Sequence, residues 1–197
     1  EGDKAREYLK QLYQDVQISG DVLQLGIPAL SAMLLVKMGA AEGKNISLNI
    51  EIETSLTELR VPSQDIVDVA GNLINNALEA VEDMEPENRT VKLRVCTESG
   101  FHIIQVHNPG YIPEDIQNRL FEPGFSTRPS DRERGIGLSS VKYLVEKYQG
   151  QVQVDSSPDG GTCFSVRYPR SWERRKRNEY PRFGSSLGVS AGQGIGQ

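Results

Sequence analysis

The sequence predicts an α+β fold, a two-layer sandwich in which helices cover one face of a mixed sheet. Three patterns predict it. Ile46, Leu48, Ile50 and Ile52 alternate with Ser47, Asn49, Glu51 and Glu53 at the period of a half-buried strand. Ile66, Ala70, Leu73, Ile74, Ala77 and Val81 recur at helical spacing. Two stretches, 90–107 and 151–168, alternate in the same way about glycine-containing turns and read as hairpins. Helices and antiparallel hairpins that do not strictly alternate fit helices packed on a mixed sheet rather than a doubly wound one.

Each element has a local cause. Ala5, Tyr8, Leu9, Leu12, Tyr13 and Val16 form a helical stripe over residues 3–18, which Gly20 is expected to interrupt. Pro28 suits a first helical turn and Gly43 a stop, so a second helix spans Pro28 to Glu42. Leu30, Met33, Leu34, Val36 and Met38 make it apolar over much of its girth, as helix packing or an oligomer interface requires. After the strand at 46–53 a helix runs from Ser63, its expected cap, to Asp83. Strands follow at Thr90 to Glu98 and Phe101 to His107, turning at Ser99-Gly100, then helices at Pro113 to Leu120 and Ser139 to Gln149. Gln151 to Asp155 and Thr162 to Tyr168 close the domain around Pro158-Asp159-Gly160-Gly161. Beyond Pro169 a basic run gives way to Gly, Ser and Gln, with too little apolar content to offset chain entropy. The expected division is a helical region over 1–44, a folded domain over 45–169 and a disordered tail over 170–197.

Composition excludes several classes. With 37% hydrophobic and 25% charged residues the chain can build one full core. Its two cysteines, Cys96 and Cys163, lie in alternating segments and read as packed, reduced thiols rather than a disulfide framework. A net charge of −5 argues against nucleic acid as the main partner. No apolar run reaches the roughly 18 residues of a membrane span, and no signal peptide pattern opens the chain. The expected location is cytoplasmic, with any membrane attachment confined to segments upstream of Glu1.

The chemistry concentrates in four places. Asn72 and Asn76 stand four apart in VAGNLINNALEAV, so their amides project from one helical face toward one spot. Asn is unfavourable inside a helix, and three within residues 72–76 ask for a reason beyond a polar edge. Asn108 ends a strand on the face of Ile104 and Val106, and Pro109-Gly110 then turns the backbone, an arrangement that suits a purine. Phe121 to Arg128 reads FEPGFSTR, crowding two aromatics, two hydroxyls and a guanidinium together. Gly135-Ile136-Gly137-Leu138 precedes a helix, where open N–H groups and the dipole favour a phosphate. It lacks the third glycine and the parallel strand of the dinucleotide fingerprint.

In combination these features resemble the ATP-binding domain shared by sensor histidine kinases, gyrase, MutL and heat-shock chaperones, the Bergerat or GHKL family. The resemblance spans about Ile46 to Pro169. NLINNALEA, NPGYIP, FSTR, RGIGL and GGTCFSV are most similar to kinases of the citrate and dicarboxylate sensor type, and the N-terminal part resembles their second dimerisation helix and connection. The resemblance implies ATP and Mg²⁺, the metal held by Asn76 with Asn72 beside it. It implies that Asn108, Gly110 and Ile112 meet the adenine, with Thr162 near it. Phe125, Ser126, Thr127, Arg128 and Arg134 would form a lid, Arg128 serving the chemistry with Asn72 and Asn76. Gly135, Ile136, Gly137 and Leu138 would lie along the phosphates.

Two departures matter. Asn108 stands where the family has an aspartate, and the second glycine of that turn is missing between Tyr111 and Ile112. Gyrase and MutL carry a glutamate base where this chain has Asn72, which cannot take a proton. Transfer of the γ-phosphoryl group to a histidine therefore fits better than hydrolysis. His102 and His107, the two histidines of the chain, stand in a strand and before Asn108-Pro109, so neither reads as the acceptor. The expectation is a sensor kinase catalytic domain, homodimeric through N-terminal helices and acting on a response regulator, with a histidine outside this chain as acceptor. A degenerate ATP-binding scaffold and an anti-sigma-type serine kinase are the alternatives.

Overall fold

A computed structural model describes residues 20–125 and 137–170. The expected helix over 3–18, the 171–197 tail, and the site candidates Ser126, Thr127, Arg128, Arg134, Gly135 and Ile136 lie outside the described residues.

Strand β1 (Ser47–Ile52) pairs in parallel with β2 (Thr90–Glu98), Ile50 lying beside Leu93. β2 and β3 (Phe101–Asn108) form the expected hairpin about Ser99 and Gly100, both at positive φ as a tight right-twisting turn requires. β4 (Gln151–Ser157) and β5 (Gly161–Pro169) form the second hairpin, and β5 inserts beside β3. The sheet order is β1-β2-β3-β5-β4, a mixed sheet as the alternating patterns predict.

Three longer helices lie over it. Helix α1 (Pro28–Glu42) and helix α2 (Ser63–Val81) pack side by side, and α4 (Gly137–Lys147) flanks α2. A single turn, α3 (Glu114–Gln117), lies between β3 and α4. Leu30 and Leu34 of α1, Ile66, Leu73 and Ile74 of α2, Val141 and Val145 of α4 and Leu93, Ile104, Val106 and Val166 of the sheet form one continuous buried cluster. At about 1.5–3 kcal/mol for each such side chain taken from water, this burial dominates the stability. Among the described residues no helix is long and apolar enough to cross a membrane.

Several expected details differ. Gly20 is helical, continuous with residues 21–23, and the chain breaks at 24–26 instead, where Gly26 adopts φ +76°. Ser63 does not cap α2: Pro62 precedes the helix and no side-chain cap bond forms. Lacking that bond, the helix start is held through Asp65, whose carboxylate accepts from Tyr148 Oη at 2.5 Å and Lys147 Nζ at 3.1 Å. α3 is shorter than the predicted 113–120 span, and α4 begins two residues earlier, with Gly137 inside its first turn. Cys96 is buried and Cys163 half-buried; both thiols are free, on non-adjacent strands, with burial raising their pKa values.

Candidate active site

Helix α2 supplies one wall of a cavity of about 480 Å³. Its apolar stripe faces the sheet, which turns the positions of Asn72, Asn75, Asn76 and Glu79 to the cavity. The two predicted amides are thus brought together. Asn72 Nδ2 donates one of its two N–H groups to the Asp68 carbonyl at 2.8 Å, which orients the amide with Oδ1 toward Gly137. Asn76 Nδ2 is buried without a partner among the described residues, an orphan polar atom at the cavity wall. Buried polar groups are ordinarily satisfied, so its exception points to a ligand.

The opposite end is built by the turn after β3. Asn108 is 3% exposed and lines the cavity with Gly110, Ile112 and Thr162. A directed hydrogen-bond relay holds this turn. Ile112 N–H donates to Ser156 Oγ at 2.9 Å, and Thr162 Oγ1 donates to the Gly110 carbonyl at 2.7 Å. Thr162 has therefore spent its proton, and the 2.7 Å contact between the two hydroxyls is Ser156 donating to Thr162. Gly110 is required by close approach, because a Cβ there would stand 2.7 Å from Asn108 Nδ2 and 3.3 Å from Met84 Cε. Gly161 is required by both conformation and space: its φ is +67°, and a Cβ would strike the Asn108 carbonyl.

The third side is α4. The Asp65–Tyr148–Lys147 contacts pin its C-terminal end against the start of α2, which sets its N-terminal turn beside Asn72. A Cβ on Gly137 would lie 3.2 Å from Asn72 Oδ1, so the first described turn of α4 stands directly beside the amide oxygen. The Tyr148 hydroxyl holds the Asp65 carboxyl below its usual range, despite opposing burial, and the nearby Lys147 adds to this. Leu138 and Phe125 complete the lining on this side.

The cavity also takes residues that sequence reading did not single out: Asn75, Glu79, Ala80, Met84, Tyr111, Leu120 and Phe164. The signal for Asn75, Glu79 and Ala80 was available, since they fall three, seven and eight positions after Asn72 on the same helical side. Ser156 carried no sequence signal, because its role depends on strand pairing with Thr162. The histidines lie away from the cavity lining. His102 is 2% exposed within β3 with Nδ1 3.3 Å from Thr97 Oγ1, and His107 Nε2–H donates to the Gly160 carbonyl at 2.8 Å.

An amide-bearing helix, a polar turn at a sheet end and a glycine-bearing helix turn thus line one cavity of an α+β sandwich protein, an arrangement suited to a nucleotide. The sequence model of the histidine kinase-, DNA gyrase B- and HSP90-like ATPases matches residues 62–171, and the chain belongs to that family. It is 33% identical over 177 residues to a probable C4-dicarboxylate sensor kinase of Halalkalibacterium halodurans, covering 86% of this chain and 33% of that protein. It is 32% identical over 181 residues to the sensor protein CitS of Bacillus subtilis, covering 88% and 32% respectively. The chain thus spans about a third of the length of these relatives. Among solved structures, the nucleotide-free catalytic domain of histidine kinase ThkA superposes with a TM-score of 0.61 at 21% identity, covering 73% of this chain and 91% of that one. The mycobacterial sensor histidine kinase MprB gives 0.55 at 20% identity, covering 72% and 92%. These likenesses bear out the predicted fold.

Proposed function

We propose that this chain is the ATP-binding catalytic part of a two-component sensor histidine kinase of the citrate and C4-dicarboxylate sensor type. It transfers the γ-phosphoryl group of ATP to a histidine borne by another segment or chain, from which a response regulator is phosphorylated. The observation that carries the reading is the convergence of Asn72 Oδ1 and the α4 start at Gly137 in a cavity whose other end is Asn108. Amides, a glycine and a polar turn about one cavity suit the phosphate and base parts of an adenine nucleotide.

Each residue has a role in this reading. Asn108 accepts from the adenine amino group through its amide oxygen. The relay through Ser156 and Thr162 fixes the turn bearing Asn108, Gly110 and Ile112 against it. Backbone N–H groups at the α4 start receive a phosphate. Phe125 lines the cavity, and Ser126, Thr127, Arg128, Arg134, Gly135 and Ile136, the further residues that the sequence assigns to the nucleotide, lie outside the described residues. Mg²⁺ would be held through the amide oxygen of Asn76 with that of Asn72 beside it, because hard cations of this size take oxygen ligands, while the unpartnered Asn76 Nδ2 suits a phosphate oxygen. When bound, it would neutralise charge developing on the transferring phosphoryl group.

Asn72 supports transfer over hydrolysis. An amide with its nitrogen tied to the Asp68 carbonyl positions an oxygen but removes no proton from water. Neither histidine supports an acceptor role, since both are in the sheet. The kinase is dimeric through helices N-terminal to the domain, works in the cytoplasm and has no nucleic-acid substrate. The test is titration calorimetry with Mg-ATP, followed by transfer of labelled phosphate to a separately supplied histidine-bearing helix of the same kinase. Binding followed by acid-labile labelling is expected. Acid-stable label would favour a serine kinase, and absence of binding a scaffold.

A further inference from the structure

Every described residue lining the cavity is neutral except Glu79; no lysine, arginine or histidine is among them. A triphosphate carries about four negative charges, and a single divalent ion leaves roughly half of that uncompensated. Beyond Arg128 and Arg134, which lie outside the described residues, cationic help has to come from beside this wall. Arg119 reaches it through stacking, its guanidinium 4.6 Å from the centre of the Phe125 ring, but it is also paired with Glu122.

Lys37 is placed differently. It projects from α1, and its Nζ donates to Asn75 Oδ1 at 2.7 Å, in a partly buried contact between two helices. Asn75 itself lines the cavity, between Asn72 and Glu79 on the same side of α2. The Lys37 ammonium therefore stands one hydrogen bond from the amide-bearing wall. α1 and α2 run parallel, since Lys44 and Glu82, just past the ends of the two helices, meet at 2.9 Å with the same separation of 38 residues as Lys37 and Asn75. The contact is thus part of the α1–α2 packing, with buried Leu34 fixing the helix that carries it. An ammonium on a four-carbon stem has three donors, and Asn75 occupies one.

We propose that Lys37 is a phosphate-binding residue of this site, delivered from α1, and that Asn75 holds its ammonium in readiness at the cavity rim. This rests on the ATP-binding reading above. The charge that the α2 wall lacks is supplied by a neighbouring helix, so nucleotide affinity depends on how α1 is docked. A purely structural alternative is that Lys37 only tethers α1 to α2.

The test compares Lys37→Met, which keeps the stem and removes the charge, with Lys37→Arg, which restores a cation. Affinities for Mg-ATP and for adenosine, which carries no phosphate, are measured by calorimetry on the full chain, with melting temperatures alongside. Lys37→Met is expected to weaken Mg-ATP about tenfold, the scale of one charge-assisted hydrogen bond, while adenosine binding is unchanged. Lys37→Arg recovers most of the loss. Asn75→Ala, which releases the ammonium without removing it, lowers Mg-ATP affinity less than Lys37→Met does. Equal loss of both ligands, or Mg-ATP affinity unaltered in Lys37→Met, overturns the assignment while leaving the ATP-binding reading intact. Failure of the unmodified chain to bind either ligand overturns both.

Discussion

Replacing Thr162 by valine tests how the adenine end is held together. Valine keeps the branched shape, so no cavity opens, but the hydroxyl at the centre of the relay disappears. Thr162 is 1% exposed, and the Gly110 carbonyl it serves at 2.7 Å loses its donor in a buried setting. An unsatisfied buried acceptor costs about 1–3 kcal/mol. Ser156 also loses the acceptor of its proton, although it can still receive the Ile112 N–H. At about 2–4 °C per kcal/mol for a chain of this size, the melting temperature should fall by roughly 2–12 °C. Nucleotide affinity should fall with it, because Gly110 and Ile112 are no longer fixed. Urea denaturation gives the stability change, and calorimetry with Mg-ATP gives the affinity. Since both hydroxyls belong to one chain of bonds, Thr162→Val and Ser156→Ala should be non-additive by at least about 0.5 kcal/mol. Strict additivity, or a Thr162→Val variant as stable as the parent, would refute the relay.

Gly110→Ala should weaken Mg-ATP about tenfold, because the added methyl stands 2.7 Å from Asn108 Nδ2 and must displace that amide; calorimetry reads the change, and equal affinity would exclude Asn108 from the contact. Gly137→Val should weaken ATP far more than adenosine, since a Cβ already sits 3.2 Å from Asn72 Oδ1 and the two further methyls crowd the phosphate end; a matched loss of both ligands would contradict that placement. Asn76→Asp should impair Mg-ATP use more than folding, and unchanged phosphotransfer in it would count against Asn76 as the metal residue. His102 is held below its usual value of 6.5 chiefly by burial, then by Arg170, with Glu58 opposing. Because the unfolded chain takes the proton first, stability present above about pH 6.5 should decline as pH falls below it. His102→Gln should flatten the melting-temperature profile between pH 7 and 5, a window above that of the depressed carboxyls Glu53, Glu58 and Asp65. An identical profile in the variant would rule out His102 as its source.

The layered fold was legible because its strands are half-buried. Leu48, Ile50, Val91, Leu93, Ile104 and Val106 face the helices at period two, and α2 shows a clean stripe against them. What failed was local. Residue type alone makes Ser63 a cap, whereas Tyr148 and Lys147, more than 80 positions away in sequence, hold Asp65 near the start of α2. Residue type makes Gly20 a break, but the backbone turns at 24–26, beside buried Val22 and Leu25. Of the cavity lining, Asn72, Asn76 and Asn108 could be read from helix and strand periods, which fix where side chains point, and Gly110 and Gly137 from the turn and the helix start that they mark. Ser156 and Lys37 could not. Their partners, Thr162 and Asn75, are brought to them by strand pairing and helix packing, and neither leaves a mark in the local pattern.

A crystal structure of the chain with Mg²⁺ and a non-hydrolysable ATP analogue tests the central claim most directly. Adenine against Asn108, with phosphates between the Asn72 and Asn76 amides and the α4 start, is the expected result. An empty cavity at saturating analogue, or nucleotide seated instead in the shallow groove of Met84, Pro109 and Gly160, would contradict it.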